Sequence, residues 1–292
     1  MPAAEMRSAS LLDQLKSWAL YPLPHHLLSR LVLALTRIES ARLVPPAIRL
    51  FSRHFQVNLE EALEADPVAY PSFNAFFTRA LQPDARPLDT ASDSILSPAD
   101  GTVSQCGAID AGALFQAKGR DYSLLELLGG DEERAADFAD GSFSTIYLSP
   151  RDYHRVHMPL DGALRETVYV PGRLFSVAPH TVRSVPRLFA RNERLIAIFD
   201  SDHGPMAVIL VGAIFVACIE TIWTGVATPP HTNRIRAETP PDLVRLARGA
   251  ELGRFNMGST VILLFGKDRA RWEPACSAGA PVRMGQRIGS LR

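Results

Sequence analysis

A chain of 292 residues with 47% hydrophobic and 21% charged side chains can bury a sizeable core, which excludes an intrinsically disordered protein. Lysine plus arginine and aspartate plus glutamate number 31 each, so no global field draws nucleic acid, and none is expected as a partner. Cys106, Cys218 and Cys276 are odd in number, far apart and without CxxC spacing; this argues against a zinc ribbon or a disulfide framework and reads as reduced thiols, small core residues in a cytosolic compartment.

The opening MPAAEMRSASLLDQL lacks the basic-then-apolar layout of a secretory signal. From Leu11 to Leu50 apolar residues recur at helical spacing (Leu11, Leu12, Leu15, Trp18; then Leu27, Leu28, Leu31, Val32, Leu35), interrupted by Pro22, Pro24 and Pro45-Pro46. The pattern predicts two or three short amphipathic helices. Over residues 1–55, Arg7, Lys16, Arg30, Arg37, Arg42, Arg49 and Arg53 outnumber Glu5, Asp13 and Glu39. Its longest apolar block, LVLAL, is far shorter than the ~18 residues that span a bilayer. Basic residues beside Leu- and Trp-rich faces suit a helix lying in a membrane interface, and helices packed on the body of the same protein are the competing expectation. Residues 1–60 are expected to form this docking segment and residues 61–292 a catalytic, β-rich domain.

Pro83 and Pro87 mark a loop, and beyond about residue 95 the character changes. GTVSQCGAI, FSTIYLSP, ALRETVYVPG, RLIAIFD, PMAVILVG, AIFVACIET and VILLF are short β-branched and aromatic runs separated by Gly, Pro and Asp. They predict an α+β fold whose core is predominantly antiparallel β, barrel- or sandwich-like, with amphipathic helices at the N-terminus. RDYSLLELLGGDEERAADF, residues 120–138, is expected to be helical, and PVRMGQRIGSL a tight turn at Gly285 with a return strand. No internal repeat, P-loop or GxGxxG is present.

Three motifs carry chemistry. In SPADG, Asp100 precedes Gly101 in a turn leading into a strand, where an aspartate ordinarily bonds backbone amides. SPRDYHRVHMP carries His154 and His157; no acidic or cysteine partner lies nearby at a metal spacing, so no metal is expected. Residues three apart in extended chain point to opposite faces, so a turn is required to aim both histidines at one site. In GRFNMGSTVILLF, Ser259 follows Gly258 at the edge of an apolar strand, where the default reading is plain strand entry. Together, Asp100, His157 and Ser259 compose a possible triad in which the aspartate orients the histidine and the histidine activates the hydroxyl. The serine does not lie in a GxSxG elbow before a helix.

From Phe73 to Arg292, the motifs FFTRALQPDARPLD, SPADGTVSQ, YHRVHMPLDG, PGRLFSVAP, GRFNMGSTVILLF and VRMGQRIG occur in the order that resembles the bacterial, membrane-associated phosphatidylserine decarboxylases. Met257 stands where the family has leucine, an unbranched hydrophobe of similar volume that packing tolerates. The resemblance implies that the Ser259 hydroxyl, with His157 as base held by Asp100, attacks the Gly258 carbonyl in an N-to-O acyl shift. Elimination then frees a large β subunit, 1–258, and leaves on the small α subunit, 259–292, a dehydroalanine that hydrolyses with loss of ammonia to an N-terminal pyruvoyl group. This covalent cofactor would form a Schiff base with membrane phosphatidylserine, and loss of CO2 would give phosphatidylethanolamine. His154 is implied to lie close to the reacting carboxylate or carbanion. A homodimer and a peripheral place on the cytoplasmic side of the cell membrane are further expectations.

Two other classes compete with this reading. A hydrolase would keep Ser259 as an intact nucleophile, and a lipid-binding scaffold would use neither the triad nor the Gly258–Ser259 bond.

Overall fold

A computed structural model describes residues 10–18, 20–117, 119–214, 218–228, 232–256 and 259–292. The fold is α+β, with 8 helices among the described residues and strands that pair antiparallel within every sheet.

The N-terminal periodicity produces three helices: α1 (Leu11–Trp18), α2 (His25–Thr36) and α3 (Val44–Phe55). Pro45 and Pro46 do not break a helix. They sit in the first turn of α3, where a missing N–H and a fixed φ cost nothing. α3 buries Val44 and Ile48 against Tyr70 and Phe76 in a small satellite core.

α1 and α2 have the reverse polarity. They bury Ser17, His25 and Ser29 toward the body and expose Leu11 (75%), Leu15 (56%), Trp18 (69%), Leu27 (56%), Leu31 (53%) and Leu35 (64%). Polar contacts tether them: Arg183 Nη2 pairs with Asp13 at 3.0 Å, His25 Nε2 donates to Leu20 O at 2.7 Å, and Leu174 N donates to His25 Nδ1 at 3.3 Å. No described helix is long and apolar enough to cross a membrane.

The largest sheet has nine strands among the described residues. Its main order is Arg236–Glu238, Gly162–Val170, Arg194–Ser201, Gly204–Val211, Thr260–Phe265, Ser142–Tyr147, Gly101–Ala108, Pro281–Val282, with Arg245–Leu246 also on Gly162–Val170. Thr260–Phe265 is central and wholly buried, pairing residue for residue from Thr260 to Phe265 with Tyr147 to Ser142 on one side and Val211 to Met206 on the other. Such near-continuous apolar runs mark strands covered on both faces. A second sheet runs Gly225–Val226, Ile219–Thr221, Glu251–Phe255, Arg155–His157, and a third joins Ser94–Leu96, Arg287–Leu291 and Ala270–Trp272. Among the described residues the sheets are open rather than closed into a barrel.

Three local expectations need correction. Residues 120–138 are not one helix: Arg120–Ser123 is a strand paired with Ala113–Ala117, followed by two short helices, Leu124–Leu127 and Glu132–Ala136. Gly129 and Gly130, at φ +85° and +84°, separate them, and Ser123 and Asp131 cap their starts through bonds from Glu126 N and Arg134 N. The C-terminal turn does not form a hairpin. Pro281–Val282 pairs with the strand at Gly101, while Arg287–Leu291 joins the third sheet, so the turn at Gly285 (φ +83°) switches sheets. Within AIFVACIET, only Ile219–Thr221 is strand among the described residues, and residues 215–217 lie outside them.

Candidate functional site

Ser259 stands where the chain leaves one sheet and enters another. Glu251–Phe255 belongs to the four-stranded sheet, and Thr260–Phe265 is the centre of the nine-stranded one. Met257 and Gly258, the residues between, lie outside the described ones, so the expected cleavage-site glycine has no described geometry. Both flanks are anchored. Asn256 is 1% exposed; its N–H donates to Cys218 O at 2.9 Å, its side chain donates to Glu220 Oε1 at 2.9 Å, and it accepts from Asn74 Nδ2 at 2.8 Å. The Ser259 carbonyl accepts from Leu148 N at 2.8 Å. The Ser259 side chain is fully buried, and its hydroxyl has no hydrogen-bond partner among the described residues. A buried hydroxyl without a partner costs about 1–3 kcal/mol, so this one is held at the expense of stability.

His157 ends the strand Arg155–His157, and its N–H donates to Pro98 O at 2.8 Å, which brings the SPADG turn against it. Its ring is held at both nitrogens. Nδ1 lies 2.8 Å from Gly249 O, and since a carbonyl only accepts, Nδ1 carries the hydrogen. Nε2 then presents its lone pair to the Tyr153 hydroxyl at 3.0 Å. Burial lowers the His157 pKa, with Arg155 acting in the same direction, while the Gly249 carbonyl, Glu251 and Asp100 oppose it. Burial pushes the Tyr153 phenol up to about 12, so it stays a donor.

The Asp100 carboxylate faces other partners. Arg86 holds it through Nε at 2.9 and 3.1 Å and through Nη2 at 2.5 Å, and Met284 N donates to Oδ1 at 2.9 Å. Arg86 also binds Glu61 at 2.6 Å. Asp100 therefore acts on His157 here through its charge and through the shared turn, while Gly249 and Tyr153 fix the ring. A polar cavity of about 300 Å³ reaches Asp100 and Tyr153 and is lined also by Arg79, Arg86, Arg151 and Asp152.

His154 lies in the irregular segment just before that strand, and its ring meets other partners than the His157 ring does. Its ring packs on Phe77 with centroids 4.1 Å apart, and Nδ1 donates to Asp152 O at 2.7 Å. Nε2 is buried with no partner among the described residues. Its own carbonyl accepts from Phe255 N at 3.0 Å, which ties the histidine motif to the strand leading to Ser259. Burial, reinforced by Arg79, lowers the His154 pKa to about 3. This ring should stay neutral at every pH above about 4. Between the unfolded value near 6.5 and about 3 the unfolded chain binds the extra proton, so stability is undiminished above pH 6.5 and falls as pH drops through that window. Histidine NMR titration that finds this ring charging near pH 6 would refute the assignment.

Tyr153, Gly249, Arg86 and Asp152 were not among the residues singled out from the sequence. Tyr153 and Asp152 lie inside the histidine motif, and Arg86 lies in the Pro-rich stretch just before SPADG. Gly249 contributes a backbone carbonyl, which leaves no side-chain signal to read.

The phosphatidylserine decarboxylase family model matches residues 73–290, and a second, described as PSD, matches residues 15–56. Relatives named phosphatidylserine decarboxylase proenzyme include those of Bordetella pertussis (56% identical over 283 residues, 94% of this chain and 94% of that one) and Azotobacter vinelandii (58% over 272 residues, 91% and 94%). That of Alkalilimnicola ehrlichii is 56% identical over 282 residues, 95% of this chain and 96% of its own.

Proposed function

Since the chain belongs to the phosphatidylserine decarboxylase family, we propose that it is a proenzyme that cuts itself between Gly258 and Ser259 and then decarboxylates phosphatidylserine to phosphatidylethanolamine. The observation that carries this reading is the buried, unpartnered Ser259 hydroxyl at the crossing between two sheets. A hydroxyl free of competing bonds among the described residues, next to a glycine that carries no side chain of its own, suits attack on its own backbone. Neutral His157, its tautomer fixed by Gly249, is the base for that step, and Asp100 stabilises the charge that develops on the ring. For Nε2 to take the serine proton, the Tyr153 hydroxyl must release it or pass the proton on.

The pyruvoyl group left from Ser259 supplies a carbonyl that engages the substrate amine and accepts the electron pair freed by departing CO2. Around it, this chain contributes a dry environment: Ser259 and His154 are fully buried, and the His154 ring stays neutral there. The large subunit would be 1–258 and the small one 259–292, held together by the bonds of Thr260–Phe265 to Ser142–Tyr147 and Gly204–Val211.

The reading extends to the membrane. Leucines and Trp18 on the outer faces of α1 and α2, with Arg30, Arg37, Arg42 and Arg49 exposed alongside, suit peripheral docking at the cytoplasmic side of the cell membrane. Residues 1–60 then form the docking segment, and a homodimer is the proposed assembly. Trp18→Ser combined with Leu31→Ser should weaken binding to phosphatidylserine vesicles by tenfold or more with no loss in melting temperature, because both side chains face solvent. Unchanged vesicle flotation would remove the docking role.

Denaturing intact-mass analysis tests the whole reading. Two chains ending and starting at the stated bond, together with an ethanolamine-lipid product, are expected. A single unmodified chain whose Ser259 reacts with a fluorophosphonate would identify a serine hydrolase instead.

A further inference from the structure

Cys106 and Cys276 are 170 positions apart in sequence, yet the fold brings them into contact. Cys106 lies on the strand Gly101–Ala108 directly opposite Ser144, so the two side chains share one face of the sheet. Cys276 sits over that face in the turn after Ala270–Trp272, held by its N–H to Glu273 O at 2.8 Å. Its sulfur is 3.6 Å from the Ser144 hydroxyl, and the Cys106 thiol donates to its carbonyl oxygen. Cys276 is 3% exposed, whereas Cys106 is only partly buried, which leaves the pair open to a small reagent from one side. Both are free thiols, and Cys218 lies apart from them, beside Asn256 and Ile219.

The two sulfurs differ in acidity. A hydrogen bond from Cys106 holds the Cys276 thiol below its ordinary value despite burial, with Ser144 acting in the same direction. The bond to Cys276, and then burial, push Cys106 up. Cys276 is thus the more acidic of the two, and Cys106 stays in reach of it.

We propose that Cys106 and Cys276 form an oxidation site that closes to a disulfide when a small-molecule disulfide or a peroxide is supplied. Each thiol loses its hydrogen, the S–S bond forms, and two electrons and two protons pass to the oxidant, which leaves as two thiols or as two waters. A reducing thiol pool reopens the bond. Where the chain has been cut before Ser259, a consequence that rests on the proposed scission, Cys106 belongs to residues 1–258 and Cys276 to residues 259–292. Oxidation then joins the two subunits covalently.

The test uses the full-length protein, exposed to oxidised glutathione, alkylated at its remaining thiols under denaturing conditions and weighed without reductant. The expected result is loss of two of the three alkylatable thiols, with Cys218 the one left. Processed protein should migrate as one species two hydrogens lighter than its parts, and reductant should separate it. Three alkylated thiols, a glutathione adduct at Cys106 with no cross-link, or a bond that involves Cys218 would overturn the proposal. Cys106→Ser and Cys276→Ser should each abolish the cross-link. In a Ser259→Ala chain the thiol count should fall in the same way, so the outcome stands whether or not the chain cuts itself.

Discussion

Ser259→Ala is expected to leave one full-length chain, to abolish decarboxylation to below about a thousandth of the unsubstituted rate, and yet to melt at an equal or slightly higher temperature. Most buried polar-to-apolar changes destabilise, because a partner is orphaned. Among the described residues the hydroxyl has no partner to orphan, so its removal relieves a desolvation cost of about 1–3 kcal/mol against a small loss of packing. Intact mass, product formation and calorimetry together decide the point. A variant that fails to cut but also melts far lower would mean that Ser259 is structural, and a variant that still cuts would move the scission elsewhere.

His157→Gln should slow self-cleavage by about 10²- to 10⁴-fold, the contribution of a positioned general base. Glutamine is the informative replacement, since its amide can donate and accept as the ring does toward Gly249 and Tyr153, but it cannot take up a proton at neutral pH. The acid limb of the cleavage rate in the unsubstituted protein should lie below the ordinary histidine value, because burial favours the neutral ring and Arg155 adds to it against Glu251 and Asp100. Loss of rate therefore sets in only as pH falls through that lowered value. Asp100→Asn should behave differently. It leaves the buried Arg86 guanidinium with Glu61 alone, a change of the kind that costs about 3–5 kcal/mol, so slower cleavage should come with a lower melting temperature. Full-rate cleavage in His157→Gln would remove His157 from the role of base.

Much of this was legible in the sequence for physical reasons. The helices α1 to α3 follow from 3.6-residue periodicity, and the central strands from uninterrupted β-branched runs such as TVILLF and PMAVILV. Residues 120–138 misled because SLLELL satisfies a helical pattern over one turn, while Gly129 and Gly130 adopt positive φ and end it. What lay beyond reach was long-range pairing. No local signal says that the turn at Gly285 changes sheets, that Arg86 rather than His157 occupies the Asp100 carboxylate, that a glycine carbonyl sets a histidine tautomer, or that Cys106 meets Cys276. The outward leucines of α1 and α2 are a related case. Periodicity locates an apolar face, but only the fold says which way that face points.

The central position of Thr260–Phe265 bears on the order of events in folding. A strand from the last 34 residues must insert between Ser142–Tyr147 and Gly204–Val211, both made earlier, before Ser259 reaches its site. Such non-local closure is slow, and any cut at Ser259 therefore reports that the sheet is already complete. Once severed, a piece of that length is too short to fold alone, so a mature molecule that opens has lost its template for return. Its lifetime would then be governed by the rate of opening, so that on the proposed scission the cut protein would be a kinetically trapped product of a precursor that folded once.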